Sequence, residues 1–185
     1  MSNSESNETL TRMGPGAAMG RVFRQFWQPA LLSEELPVAD CPPVRVRLMG
    51  EDFVAFRDSS GKVGLLDAHC PHRLADLFFG RNEEGGLRCV YHGWKFSVAG
   101  EILDMPSEPQ GSPMRCNPNL RAKAYPVREA GGIIWAYLGP QESMPALPDM
   151  EFMSLPPQNV HVSKCLMKCN YLQALEGSID TAHLT

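Results

Sequence analysis

Four side chains in the first half of this sequence are spaced to hold a metal centre. Residues His69 to Phe96 read HCPHRLADLFFGRNEEGGLRCVYHGWKF, with Cys70-Pro71-His72 followed by Cys89-Val90-Tyr91-His92. The pattern is C-x-H, sixteen intervening residues, then C-x-x-H. Each half supplies one thiolate and one imidazole. Such a set suits a binuclear iron–sulfur cluster with two Cys on one iron and two His on the other. Two ferric ions, two sulfides and two thiolates sum to zero charge when both His are neutral; four thiolates would leave two more negative charges. The neutral cluster takes up an electron more readily, so potentials run from roughly −150 to +300 mV. Zinc is the rival, because two Cys and two His are also a zinc ligand set. Zinc sites commonly segregate their ligands as C-x₂₋₄-C and H-x₃₋₅-H, whereas each half here mixes the two types. An extended C-x-H segment would point both side chains the same way. C-x-x-H suits a tight turn, with Gly93 after it to relieve crowding.

Short strands must carry these loops. After Pro42-Pro43, Val44, Val46 and Leu48 alternate with Arg45 and Arg47, the pattern of a half-buried strand. Strands are also predicted at Phe53–Phe56, Val63–Leu66, Leu87–Val90, Lys95–Val98, Ile102–Leu103, Tyr125–Arg128 and Ile133–Leu138, with turns at Asp58–Gly61, Ala99-Gly100 and Gly131-Gly132. Residues 40–139 therefore read as an antiparallel β domain. The third and fourth predicted strands lead into the two ligand loops. Trp94 and Phe96 could shield the cluster, and Met105-Pro106-Ser107-Glu108-Pro109 is placed as a third covering loop.

Outside that domain, residues 1–20 are polar and read as mobile, and Phe23, Phe26 and Trp27 at helical spacing predict a helix within 21–39. Five prolines between 140 and 158 mark a linker. Val160–Lys164 resumes strand alternation, with His161 as an exposed strand residue, so a second domain is placed from 159 to 185. Asn170 is positioned as an N-cap for a helix from Tyr171 to about His183. The spacing of Glu176, Asp180 and His183 puts all three on one face of that helix.

The chain has 185 residues, a net charge of −4 and 43% apolar residues, enough for one domain or one and part of another. Neither charge sign dominates, which argues against bulk electrostatic binding of nucleic acid. No apolar run approaches a membrane span. The polar, acidic N-terminus lacks a signal-peptide pattern, so a cytoplasmic location is expected. Of the six Cys, 70 and 89 are assigned to metal, 41 and 116 to no special role, and 165 and 169 to a strand and turn.

Both motifs together resemble the α subunit of Rieske non-haem iron aromatic-ring-hydroxylating oxygenases, in particular the phthalate dioxygenase-like branch. The likeness runs from about Gly20 onward and rests on FWQPALLSEELP, PPVRVRLMGEDFVAFRD, CPHR, RCVYHGWKF, DMPSEP and NYLQALEGSIDTAHLT. It implies a mainly β fold: a Rieske 2Fe-2S antiparallel β domain followed by the truncated start of an α+β catalytic domain. Respiratory Rieske proteins carry extra Cys where this chain has Ala75 and Val90 or Tyr91, so that variant is disfavoured. Leu74 stands where family members usually have Gly.

The family's second motif is E/D-x-x-x-D-x-x-H-x-x-x-x-H, matched here by Glu176, Asp180 and His183; its second His would fall at position 188. The resemblance implies His183 as a ligand of a mononuclear Fe(II) whose other ligands lie beyond Thr185. It implies Asp180 as a bridge between that His and His92 of a neighbouring subunit, and Glu176 as a non-ligand beside the iron. It further implies an NAD(P)H-dependent reductase as electron donor, O2 and a carboxylated aromatic as substrates, and a homotrimer when complete. By itself the 185-residue chain is expected to carry the cluster without catalysing oxygenation. The alternative is a stand-alone Rieske-type electron carrier, which needs only residues 40–139 and leaves Glu176, Asp180 and His183 without a purpose.

Overall fold

A computed structural model describes residues 3–184; the side chains of Asn3, His183 and Leu184 lie outside the description. Most of the strands predicted between residues 44 and 138 form, with shifted ends. Strands β1 (Trp27–Leu32), β2 (Val44–Leu48), β3 (Glu51–Arg57), β4 (Val63–Asp67), β5 (Arg81–Glu83), β6 (Gly86–Arg88), β7 (Lys95–Phe96), β8 (Ile102–Asp104), β9 (Ala124–Tyr125), β10 (Val127–Ala130) and β11 (Ile133–Tyr137) make three antiparallel sheets. Their orders are β1-β11-β10, β2-β3-β4-β9 and β5-β6-β7-β8. The β3–β4 turn closes on Asp58, whose Oδ1 accepts the N–H groups of Ser60 and Lys62, each at 2.9 Å. Tyr125–Arg128 is not one strand, because Pro126 lacks an N–H and the chain changes sheets there. The Pro126 carbonyl still accepts from Tyr137 N–H at 2.9 Å.

Two large apolar clusters and a smaller third fill the interior. One joins Leu31, Leu36, Val46, Phe53, Leu65 and Ile134 between the β2-β3-β4 and β1-β11 sheets. The other joins Val54, Phe56, Leu66, Leu77, Leu87, Trp94, Phe96 and Met105 with Cys70 and Cys89. Alternation along β3 sends Phe53 and Ala55 to the first and Val54 and Phe56 to the second. One strand thus ties the domain's general core to the core beneath the ligand loops.

The N-terminal expectations need correction. Residues 3–11 are not loose chain but helix α1 (Asn3–Thr11), and helix α2 is short, Ala18–Phe23. Residues 27–32, expected within a helix, are β1, paired with β11 from Trp27↔Tyr137 to Leu32↔Ile133. The aromatic spacing was misleading because Trp27 and Leu31 are buried at opposite ends of a strand whose ladder is irregular between Pro29 and Leu31. The β unit therefore begins before residue 40.

The proline-rich stretch is not a free linker either. Met144, Leu147, Met150, Phe152 and Met153 pack on Trp27, Trp135 and Tyr137, and Trp27 Nε1 donates to the Pro145 carbonyl at 2.9 Å. Prolines remove strand and helix ladders but leave apolar side chains free to dock. No strand forms at 160–164; Lys164 pairs with Glu35 at 2.6 and 2.7 Å, and His161 is exposed.

Helix α3 (Tyr171–Ile179) starts where expected, with Asn170 Oδ1 accepting Gln173 N–H at 3.1 Å. It ends earlier than expected. Asp180 has φ −77 and ψ 104, outside the helical range, and its Oδ1 accepts Ala182 N–H at 2.9 Å to start the short turn Thr181–Leu184. Asp side chains compete in this way for nearby backbone donors. Glu176, Asp180 and His183 therefore do not share one helical face.

Replacing Trp27 by Phe keeps an aromatic side chain but removes the bond to Pro145, a loss of about 1 kcal/mol beyond that of the smaller ring's packing. Limited proteolysis is expected to cut residues 140–158 faster in this variant. Unchanged cleavage would show that the bond does not hold the segment.

Candidate metal centre

The two ligand loops share one backbone closure. Cys70 N–H donates to the Ala75 carbonyl at 2.8 Å, and Leu74 N–H donates back to the Cys70 carbonyl at 2.9 Å. In the second loop Cys89 N–H donates to the Trp94 carbonyl at 2.8 Å, and Gly93 N–H to the Cys89 carbonyl at 3.1 Å. Each Cys bonds forward to the fourth and fifth residues after it. Residues 71–73 are accordingly a turn, not the extended segment expected from C-x-H. The closure needs a left-handed residue at the fourth position. Gly93 meets this with φ +73, and Leu74 meets it with φ +56 at the steric cost of a side chain.

The loops bring like ligands together. Cys70 and Cys89 sit in one buried cluster, each residue almost wholly shielded from solvent at 2% and 3% exposure. The rings of His72 and His92 lie 4.6 Å apart, centroid to centroid, and are partly exposed. Two Cys inside and two His outside is the division a cluster with Cys₂ on one iron and His₂ on the other requires. Among the described residues no three or more His, Cys, Asp or Glu gather for a single ion. Cys165 and Cys169 are both exposed and lie outside any strand.

Burial pushes the Cys70 thiol up to about 11 and the adjacent Cys89 adds to the rise, against N–H donation from His72 and Arg73 to the sulfur. Without metal the thiol thus keeps its proton, and iron must displace it. The same N–H donors favour the more negative, reduced cluster. Burial, the neighbouring His92 and Arg73 hold the His72 ring below its usual value, opposed by Glu108. That favours the neutral ligand form.

The third loop takes the place proposed for it. Met105 is buried with Cys70, Cys89 and Trp94. Trp94 is fully buried, stacks parallel on His72 at 4.3 Å, and donates from Nε1 to Ser107 Oγ at 3.0 Å. Pro106 lies so close to Gly93 that a Cβ there would come within 2.7 Å of its Cγ. Arg115 holds the loop through the carbonyls of Met105 and Glu108. On the two ligand loops, Leu74, Val90 and Tyr91 are exposed, Leu74 by 72%.

Sequence patterns do not mark Arg88, one residue before Cys89. Its guanidinium donates to Glu83 Oε1 at 2.6 Å, Asp104 Oδ2 at 2.8 Å and the Gly93 carbonyl at 2.7 Å, fastening the second loop to β5 and β8. A single Arg beside a ligand has no spacing signature; only the fold shows its three partners. Of the sequence-predicted site residues, Cys70, His72, Cys89 and His92 come together here. Glu176 and Asp180 lie on and just after α3, and the His183 side chain is outside the described residues.

Comparison with known proteins agrees with this geometry. Residues 26–126 match the family model for the Rieske 2Fe-2S domain. The chain belongs to the Rieske family. Residues 136–185 match a second model, LigXa C-terminal domain like. The 3-chlorobenzoate-3,4-dioxygenase oxygenase subunit of Comamonas testosteroni is 49% identical over 99% of this chain and 42% of its own length. The phthalate 4,5-dioxygenase oxygenase subunit of Pseudomonas putida is 45% identical over 99% of this chain and 41% of its own length. The crystal structure of dicamba monooxygenase with non-heme iron and dicamba aligns with a TM-score of 0.60 at 30% identity, over 69% of this chain and 38% of that one. The Rieske chain thus spans about two fifths of the length of these relatives. Its cofactor is a Rieske-type 2Fe-2S cluster, which the paired buried Cys and outer His suit. No helix among the described residues is long and apolar enough to cross a membrane.

Two predictions follow from the loop geometry. Gly93→Ala strains a left-handed position and crowds Pro106, costing about 1–3 kcal/mol; iron and acid-labile sulfide per chain should fall. Leu74→Gly at the matching position should retain them. Equal metal content in both variants would refute the matched closure. The second concerns acid. Arg88 hydrogen bonds hold the Glu83 and Asp104 carboxyls below the usual carboxylate range. Their contribution to stability is therefore present above about pH 4 and lost as pH falls through the depressed values. Visible absorbance should show cluster loss in that acid range. In Arg88→Met the loss should begin at higher pH, and an unchanged profile would remove the network from this role.

Proposed function

We propose that Cys70, His72, Cys89 and His92 hold the cluster, and that the complete protein is the oxygenase component of a Rieske system that hydroxylates or dihydroxylates an aromatic substrate. The observation that carries this reading is the pairing, in one chain, of the two-loop site with the Asp180-bearing end of α3. An electron carrier needs the first and has no use for the second. The Rieske unit would extend from β1 to β11, and the start of the catalytic unit would lie near residue 159.

When bound, the cluster supplies one-electron storage. The protein's own groups set its terms. Buried Cys70 and Cys89 anchor it inside, N–H groups of His72 and Arg73 favour the reduced charge, and Trp94 excludes water from one face of His72. His72 and His92 lead outward past the apolar rim of Leu74, Val90 and Tyr91. Asp180 would link His92 of the partner subunit to His183, a ligand of a mononuclear Fe(II), and fix the imidazole tautomer. Glu176 would stand near that iron without binding it.

Two relatives are named for chlorobenzoate and phthalate, which points to a carboxylated aromatic substrate. Electrons would come from an NAD(P)H-dependent flavin and iron–sulfur reductase. O2 is the co-substrate, the assembly a homotrimer and the location cytoplasmic.

The purified protein should be red-brown, and its reduced form should give a Rieske electron paramagnetic resonance signal. His92→Cys should lower the midpoint potential or lose the cluster. Stoichiometric zinc without iron or sulfide would overturn the ligand assignment. In the complete protein, Asp180→Asn should leave the cluster reducible and stop turnover; normal activity in that variant would remove the bridging role.

A further inference from the structure

The N-terminal arm is fastened at both ends. Toward the β domain, the Arg24 guanidinium pairs with Glu51 at the start of β3, and it donates to the Met13 and Gly20 carbonyls, each at 3.2 Å. Gln28 Nε2 donates to the Phe23 carbonyl at 2.9 Å. Within the arm, α2 packs at Gly20 against the Met13-Gly14 connection that follows α1, where a Cβ would come within 2.4 Å of the Met13 carbonyl oxygen. Toward the C-terminal segment, Tyr171 Oη donates to the Leu10 carbonyl of α1 at 2.6 Å. The Tyr171 ring meets Phe23 of α2 edge-on, with centroids 4.8 Å apart.

Tyr171 is the first residue of α3, and Asp180 ends that helix. One ring thus touches both arm helices and starts the helix that leads to the bridging carboxylate. The rest of α3 contributes little to its own placement: Leu175 and Ile179 are exposed, and no residue of the helix is buried. Upstream, Lys164 is paired with Glu35, so the arm and that ion pair fix the approach to α3 from two directions. A helix of nine residues with no buried side chain has little stability of its own; its orientation must come from its contacts.

We propose that Tyr171 and Phe23 form a clamp by which the N-terminal arm positions α3, and with it Asp180, on its own chain, and so sets where Asp180 meets His92 of the partner subunit in the assembly. Both are positioning residues: they act through the start of α3, at the opposite end of the helix from Asp180. The inference rests on the oxygenase reading above, in which Asp180 carries the link between the two iron sites.

The test uses the complete protein, loaded with cluster and iron. The cluster is reduced chemically and its reoxidation followed by stopped-flow absorbance on mixing with O2 and 3-chlorobenzoate or phthalate. Tyr171→Phe removes only the hydroxyl bond, and Phe23→Ala removes the ring contact. Each should slow reoxidation by about three- to tenfold, the size of one lost hydrogen bond or aromatic contact expressed in a rate. Phe23→Tyr, which keeps the edge contact, should restore the rate. Midpoint potential, paramagnetic resonance spectrum and thermal midpoint should stay at their parent values, while hydrogen exchange speeds up at the start of α3. Reoxidation at the parent rate in both variants overturns the clamp, as does a slowing that merely tracks a lower thermal midpoint. If the parent protein itself is not reoxidised with any such substrate, the oxygenase reading falls, and the clamp loses its stated purpose with it. In that event faster exchange in Tyr171→Phe would still register the contact.

Discussion

The structure depends on the backbone bonds that each cluster Cys makes with its own loop. Cys70 and Cys89 each donate to the carbonyl five residues on and accept from the N–H four residues on. Buried backbone groups must find partners, and here the loop supplies them without help from a sheet. That leaves the thiols free to face each other. Because the closure is the same, C-x-H and C-x-x-H differ only in where the His leaves the turn, two or three residues after the Cys. The difference lets the two imidazoles meet edge-on from opposite loops.

Support for this arrangement is layered by polarity. Beneath the thiols lies apolar core: Leu77, Leu87, Phe96 and Met105. At the flank lie charge-assisted bonds from Arg88, whose guanidinium is largely shielded from solvent. Such bonds are worth more where water is excluded. Outside stand the imidazoles, with Trp94 stacked against one of them. The imidazoles thus stand on the side with the least protein, and the buried thiols on the side that carries the N–H donors.

Much of this was legible in the sequence, for identifiable reasons. Metal ligands have fixed chemistry and tight spacing, so the four positions stood out. Strands such as Val44–Leu48 alternate because one side is wet, and alternation can be read. The third loop could be placed by order alone. What could not be read was set by distant partners. Trp27 looked helical beside Phe23 and Phe26, yet its place is decided by β11, over a hundred residues away. The proline-rich segment looked like a linker because proline excludes regular ladders, while its Met and Phe residues dock on two tryptophans. The end of α3 turned on one Asp side chain choosing a backbone N–H two residues ahead. Arg88 was invisible because its three partners come from separate strands and turns.

The pairing of β1 with β11 also orders events during synthesis. Both ligand loops are complete by Phe96, while the strand that closes over β1 ends at Tyr137. Contacts between residues far apart in sequence form late, because a long loop must close first. Both cysteine turns are closed by local backbone bonds, whereas the first sheet needs a partner more than a hundred residues on. A variant that weakens the β1–β11 ladder would therefore open the sheet while leaving both turns their own bonds.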